Sequence, residues 1–386
     1  MRILLLHNIV NPHMTPVFEA LSKSAGVDLT IAFFAEREAD RAWDAGAAST
    51  FRSVVLPGRQ LNLLLRWDTL SFHVNPGFGR FLRGCAPDVV INSGWMSLTN
   101  WHAFLACRRR RIPHVLWAGS TANEPSLQRS ATRPAVRYLV RHSDAWASYG
   151  SASADYLVSL GAVRERVVPA YHCIDNARFL ELVARTQPRV AAERAALGFG
   201  EARVVLFVGR MLERKGGDHL IDAVARVQHD GRDVALLFVG DGAMRITWEK
   251  HAAATLRPGS FRFVGNRPLE ELPLYYQLAD LFVLPSLEEV WGLVVNEAEL
   301  AGLPVIASAA CGATIDLVEQ GVNGHRFAPG DVAGLARAID TIAGDDHARA
   351  AMGAASRRLV ERCTPSNVAA SLLRAAELAV AGGRIA

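Results

Sequence analysis

Val204-Val205-Leu206-Phe207-Val208 runs directly into Gly209-Arg210-Met211-Leu212-Glu213-Arg214-Lys215-Gly216-Gly217, and an amphipathic stretch of helical length follows. A strand with no polar alternation is one covered on both faces, which points to a parallel sheet built from βαβ units. A strand end, a flexible turn and a helix N-terminus together offer free amides and positive dipole to an anion. Arg210 and Lys215 add the fixed charge that a diphosphate demands. Taken alone, the two cations read equally well as solvated surface charges.

Outward from this stretch the same rhythm continues. Strands are expected at Ala235–Val239, Phe261–Val264, Leu281–Leu284 and Pro304–Ala307, with helices near Gly217–Val227, Leu269–Leu278, Val294–Ala301 and Val332–Ile342. An earlier series holds Ile3–Leu6, Leu29–Phe33, Asp88–Asn92 and His114–Trp117, with helices near Pro16–Ser24 and Leu98–Arg110. At 386 residues the chain is long enough for two domains. The expectation is an α/β protein of two doubly wound, Rossmann-like domains facing across a cleft, because ligands bind beyond the carboxyl ends of such strands. The irregular stretch Ala170–Pro188 marks the junction, giving domains 1–175 and 176–364. A last helix, about Pro365–Ala381 within 365–386, is expected to pack back across the junction.

The strand Leu281–Leu284 ends in Pro285-Ser286-Leu287-Glu288-Glu289-Val290-Trp291-Gly292-Leu293-Val294-Val295-Asn296-Glu297. If a helix begins near Trp291, Glu289 sits in the loop beyond the strand while Glu297 lies over a turn inside. The two carboxylates then address different parts of an extended ligand, and each can accept hydrogen bonds from vicinal hydroxyls. Amides at Trp291–Val294 would point at phosphates between them. Read singly, Glu289 is a loop acid and Glu297 a helix-face charge.

As a set, Gly209-Arg210, Lys215-Gly216 and Glu289-x7-Glu297 with the internal Gly292-Leu293-Val294 resemble the retaining GT-B glycosyltransferases. That large family includes bacterial mannosyl- and glucosyltransferases and sucrose synthases. Phe238-Val239-Gly240-Asp241-Gly242, Val264-Gly265, Ala279–Ser286 and Ala301–Ala307 extend the similarity, which is dense over 203–330. The resemblance implies that Arg210 and Lys215 neutralise the departing diphosphate, that Glu289 holds donor-sugar hydroxyls and that Glu297 binds the ribose. Gly209, Trp291, Gly292 and Leu293 would complete the donor site, with the base near Val264–Leu269. It also implies no cofactor and no metal, and no Asp-x-Asp pair stands at a strand end. The N-terminal half departs from the family. The loop after the first strand, Asn8–Pro16, lacks its Gly-rich pattern, and the stretch His114–Glu124 has no His at the strand's far end. Asn11, His13, Ser120 and Glu124 are substitutes by position on the acceptor side, and His172 replaces an Asn common in the family.

Nineteen basic and thirteen acidic residues give 1–175 a charge of +6, so the remainder of the +4 total carries −2. Arg129, Arg133, Arg137 and Arg141 recur at helical spacing, if Pro134 permits a helix, and Arg108–Arg111 add to them. Such a face suits an anionic membrane or a phosphorylated acceptor, though charge runs of this kind are more often simply solvated basic surface. Five scattered cysteines argue against disulfides and zinc. The opening apolar run is too short for a signal peptide, and no stretch is long enough to span a bilayer. Together with the resemblance, which implies a hexosyltransferase type of enzyme, these readings give the expectation of a cytoplasmic protein, peripheral at most on the membrane's inner face. Its partners would be a nucleotide sugar and a glycan, glycolipid or small-molecule acceptor, and no nucleic acid. A silent nucleotide-sugar-binding protein and a GT-B epimerase or hydrolase remain as alternatives. The missing Gly-x-Gly-x-x-Gly after the first strand argues against a dinucleotide-dependent oxidoreductase.

Overall fold

Alternating buried strands and helices build two parallel sheets in the computed structural model, which describes residues 1–9, 11, 14–36, 51–64, 69–123 and 127–382. Nine strands come first: β1 (Arg2–Ile9), β2 (Asp28–Ala35), β3 (Arg52–Val55), β4 (Arg59–Leu64), β5 (Thr69–Val74), β6 (Val89–Ser93), β7 (His114–Ala118), β8 (Ala145–Ser148) and β9 (Val167–Pro169). Seven of them form one sheet in the order β3-β2-β1-β6-β7-β8-β9, while β4 and β5 pair as a separate antiparallel hairpin. The second sheet is β12-β11-β10-β13-β14-β15, from β10 (Arg203–Val208), β11 (Val234–Val239), β12 (Phe261–Phe263), β13 (Leu281–Leu284), β14 (Val305–Ser308) and β15 (Gly324–Phe327). Strand order reverses between β1 and β6 and again between β10 and β13. Those reversals leave a crevice at the carboxyl ends of the strands where connections diverge.

The chain divides into two compact units, Met1–Cys173 with Thr364–Ala386, and Ile174–Cys363. The helix Pro365–Ala381 thus belongs to the first unit. Thr364 caps it by accepting from the Asn367 N–H, and Pro365 occupies a first-turn position where no amide is needed. Its buried face, Val368, Leu372, Ala375 and Ala379, packs on β6 to β9 and the helix Thr15–Ser22. In the second unit, Phe207, Phe238 and Trp248 form the aromatic centre of the core, with ring centroids 5.2–5.9 Å apart.

One helix, Leu127–Arg141, runs through Pro134, and Arg133, Arg137 and Arg141 lie exposed on it. No helix among the described residues is long and apolar enough to cross a membrane.

Candidate active site

The site in the second unit is built where the loops after β10, β11 and β13 touch. Gly209 and Gly240 both have positive φ, and a Cβ on Gly240 would come within 2.0 Å of the Gly209 carbonyl oxygen. Only glycine allows this approach, which is locked by Gly209 N–H donating to Val239 O and Met211 N–H to Asp241 O. A single turn, Glu213–Lys215, ends at Gly216 in the left-handed region (φ 65°), where a Cβ would lie 2.4 Å from Pro285 O. The Leu287 N–H donates to Arg214 O at 2.8 Å, tying this turn to the loop that leaves β13. The consequence is that Lys215 Nζ bonds the Glu289 carboxylate, both side chains being nearly buried at 13% and 14% exposure. Arg210 stands exposed in the loop after β10.

The stretch from Glu289 to Glu297 is held from the other side by the segment after β14. Glu289 bridges Cys311, the Gly312 and Ala313 amides donate to Glu289 O and Trp291 O, and Cys311 Sγ donates to Trp291 O at 2.6 Å. Trp291 is buried, with its indole N–H on Asn296 Oδ1 at 2.9 Å. Gly292 turns the chain at φ 96°, and a Cβ there would meet Leu284 and Cys311 within 3 Å. The helix Leu293–Ala301 starts immediately after it with no side-chain cap. The Val295 N–H turns back to Gly292 O at 2.9 Å, which leaves the Leu293 and Val294 amides for another acceptor.

Glu297 lies one turn into that helix and is 5% exposed. The Tyr276 hydroxyl donates to its Oε2 at 2.6 Å. Burial pushes the Glu297 carboxyl up to about 7, against the pull of that hydrogen bond. Two residues on, Glu299 is buried completely, accepts from Asn323 Nδ2 at 3.0 Å and is held well above the usual carboxylate range by burial. Sequence reasoning missed both Tyr276 and Glu299. The signal for Glu299 was the apolar run around it, since a helix with Val295–Leu300 buried throughout has no solvent face for an acid.

In the first unit, the Asn11 carbonyl accepts from the Met14 and Thr15 amides and so starts the helix Thr15–Ser22. Ser120 is half-buried just beyond β7, and His13 and Glu124 lie outside the described residues. His114 stands at the amino end of β7. It is enclosed between Ser143 Oγ and Asn92 Nδ2, and burial lowers it to about 3, so it is a neutral core residue. His172 stacks on Tyr149 with ring centroids 4.5 Å apart. His7, on β1, was not singled out from the sequence. It is nearly buried, with its ring 6.3 Å from that of Trp117.

Residues 190–359 match the family model of glycosyl transferases group 1, and residues 10–171 that of the glycosyl transferase 4-like domain. The fold is similar to the crystal structure of Anabaena Alr3699/HepE in complex with UDP, over 97% of this chain and 98% of that one, with a TM-score of 0.73 at 20% identity. The sequence is 31% identical over 307 residues to D-inositol 3-phosphate glycosyltransferase of Stackebrandtia nassauensis, covering 75% of this chain and 67% of that protein. The chain belongs to the GT-B glycosyltransferases. It is also 37% identical over 142 residues to 2-deoxystreptamine glucosyltransferase of Streptomyces kanamyceticus, a match spanning only 36% of that protein's length. In this GT-B glycosyltransferase the Lys215–Glu289 pair, the Gly292 turn and Glu297 fall inside the group 1 match, while Asn11 and Ser120 fall inside the other.

Proposed function

We propose that this chain moves a hexose from a nucleotide-diphosphate donor to a glycan, lipid-linked or small-molecule acceptor, with retained anomeric configuration and without a metal. Residues 176–364 bind the donor and 1–175 the acceptor, with 365–386 joined to the latter. The observation that carries this reading is the Lys215–Glu289 pair beside an uncapped helix N-terminus. Cation, carboxylate and free amides stand together with little access to water, which is the set a sugar diphosphate requires.

In this reading Lys215 exchanges the Glu289 carboxylate for the diphosphate, and Arg210 shares the charge that develops as the diphosphate leaves. Glu289, released, accepts from sugar hydroxyls, and Glu297 accepts from the ribose. The backbone at Gly209, Trp291, Gly292 and Leu293 supplies close approach and N–H donors. Asn11, His13, Ser120 and Glu124 border the acceptor. The setting is synthesis of a surface polysaccharide or glycoconjugate in the cytoplasm, and the Arg133–Arg137–Arg141 face makes peripheral contact with anionic lipid.

The test is a panel of nucleotide sugars scored for thermal stabilisation and for slow donor hydrolysis. A donor that binds only the native state at a hundred times its Kd stabilises by about 2.7 kcal/mol. One nucleotide series should stand out in both assays. No stabilisation by any member would overturn the reading.

A further inference from the structure

Tyr276 lies on the short helix Leu272–Leu278, in no motif that marks the donor site. Its ring is fully buried, wedged against Phe179 and Phe282 at 6.0 and 5.9 Å between centroids. That packing fixes where the hydroxyl can go, and it goes to Glu297 Oε2 at 2.6 Å, the range of a charge-assisted O–H···O⁻ bond. It is the one side-chain hydrogen bond of Glu297 among the described residues. A carboxylate held by one oxygen has its plane set and its other oxygen, Oε1, still able to accept.

We infer that Tyr276 is a positioning residue for the nucleotide: its hydroxyl occupies one oxygen of Glu297 and turns the other to the ribose hydroxyls of a nucleoside diphosphate. The inference rests on the ribose role proposed for Glu297. The bond also affects when that carboxyl can accept. Burial raises its pKa to about 7 and the Tyr276 bond lowers it. Besides Leu272–Leu278, the helices Asn176–Thr186, Gly312–Leu317 and Asp346–Val360 and the strands β13 and β14 pack on the Glu297 helix, Leu293–Ala301, yet Tyr276 is the one ionisable group among the described residues that acts on Glu297. Glu299, on the same helix, turns instead to Asn323. Nucleotide affinity should therefore weaken as pH falls through about 7, where the carboxyl takes up its proton. Without the phenol the titration moves to higher pH.

The experiment is calorimetric titration of the full-length protein and its Tyr276→Phe variant with UDP and with GDP between pH 6 and 9, repeated with the 2′,3′-dideoxy form of whichever binds. Tyr276→Phe is expected to weaken the ribonucleotide roughly 10- to 100-fold at pH 7, the worth of a hydrogen bond to a charged group. Its pH profile should shift upward, and the dideoxy ligand should bind both proteins alike. An unchanged affinity and profile, or an equal loss with the dideoxy ligand, overturns the inference, the second because it marks a purely structural tyrosine. A wild-type protein that binds ribose and dideoxyribose forms equally removes the ribose role and this inference with it. Failure to bind UDP, GDP or any other nucleotide of the donor panel overturns the proposed function itself.

Discussion

Lys215 and Glu289, 74 residues apart in the chain, are bonded to each other where the loops after β10 and β13 meet. Each is the other's counter-ion in a place with little water, so removing one strands the other. Lys215→Ala and Glu289→Ala should each destabilise by about 1–3 kcal/mol, and the double variant by clearly less than the sum. Urea unfolding of the four proteins at pH 7 measures this coupling. Strict additivity would show that the pair does not act as a unit.

Gly292 sets the turn from which the helix Leu293–Ala301 starts. Its φ of 96° is costly for any L side chain, and its Cβ would press on both Leu284 and Cys311. Gly292→Ala should lower stability by about 1–3 kcal/mol and weaken nucleotide diphosphate binding, because the first amides of Leu293–Ala301 move. The control Gly231→Ala also places alanine at positive φ, at 89°, but in open space, and should cost stability without affecting the nucleotide. Equal binding by both variants would remove the helix mouth from the donor site.

Much of this architecture was legible because runs of branched and aromatic residues have little other reading. Leu281–Leu284 and the helix Leu98–Arg110 appear with the bounds the pattern predicts. What escaped was structure imposed by neighbours. The strand β8 is Ala145-Trp146-Ala147-Ser148, a sequence with little intrinsic preference, extended because β7 and β9 flank it. In the site, the spacing of Glu289 and Glu297 could be read directly. Tyr276 could not, since its partner is 21 residues away and only the fold brings them together.

Glu299 gives a pH test of stability. Its carboxyl is buried and raised well above the usual range, so native and unfolded chains both hold the proton in acid. As pH rises past the unfolded value near 4.5, the unfolded chain releases its proton first and the native state loses relative stability until its own, higher pKa is passed. Glu299→Gln keeps an acceptor for Asn323 and removes the titration. The variant should be more stable relative to wild type at pH 8 than at pH 5, as read by thermal unfolding at both. A pH-independent difference would mean that Glu299 ionises normally in the fold.

The exposed arginines of Leu127–Arg141 carry the membrane prediction. Each basic residue near an anionic surface contributes roughly 1 kcal/mol, so replacing Arg133, Arg137 and Arg141 by Gln should visibly weaken binding to phosphatidylserine vesicles at low salt. Donor affinity should be unchanged, because all three lie in the first unit and the donor is proposed to bind the second. Wild-type protein that ignores such vesicles would remove the idea.

The chemical step carries the strongest commitment. With Glu289 assigned to sugar hydroxyls and Glu297 to ribose, neither is offered as a nucleophile, and the acceptor attacks from the face on which the diphosphate departs. Stabilising that leaving group is then the work of Lys215, Arg210 and the helix amides, and removing one well-placed donor typically costs about 10²–10³-fold in rate. Lys215→Ala and Arg210→Ala should lower kcat more than they weaken the intact donor, since the charge they meet grows only as the bond breaks. Glu297→Ala should act mainly on donor affinity, because the ribose does not change during transfer. NMR of the product should show the donor's anomeric configuration retained, and exhaustive chelation should leave the rate unchanged. An inverted product, or activity abolished by chelator and restored by a divalent ion, would contradict this mechanism even with sugar transfer established.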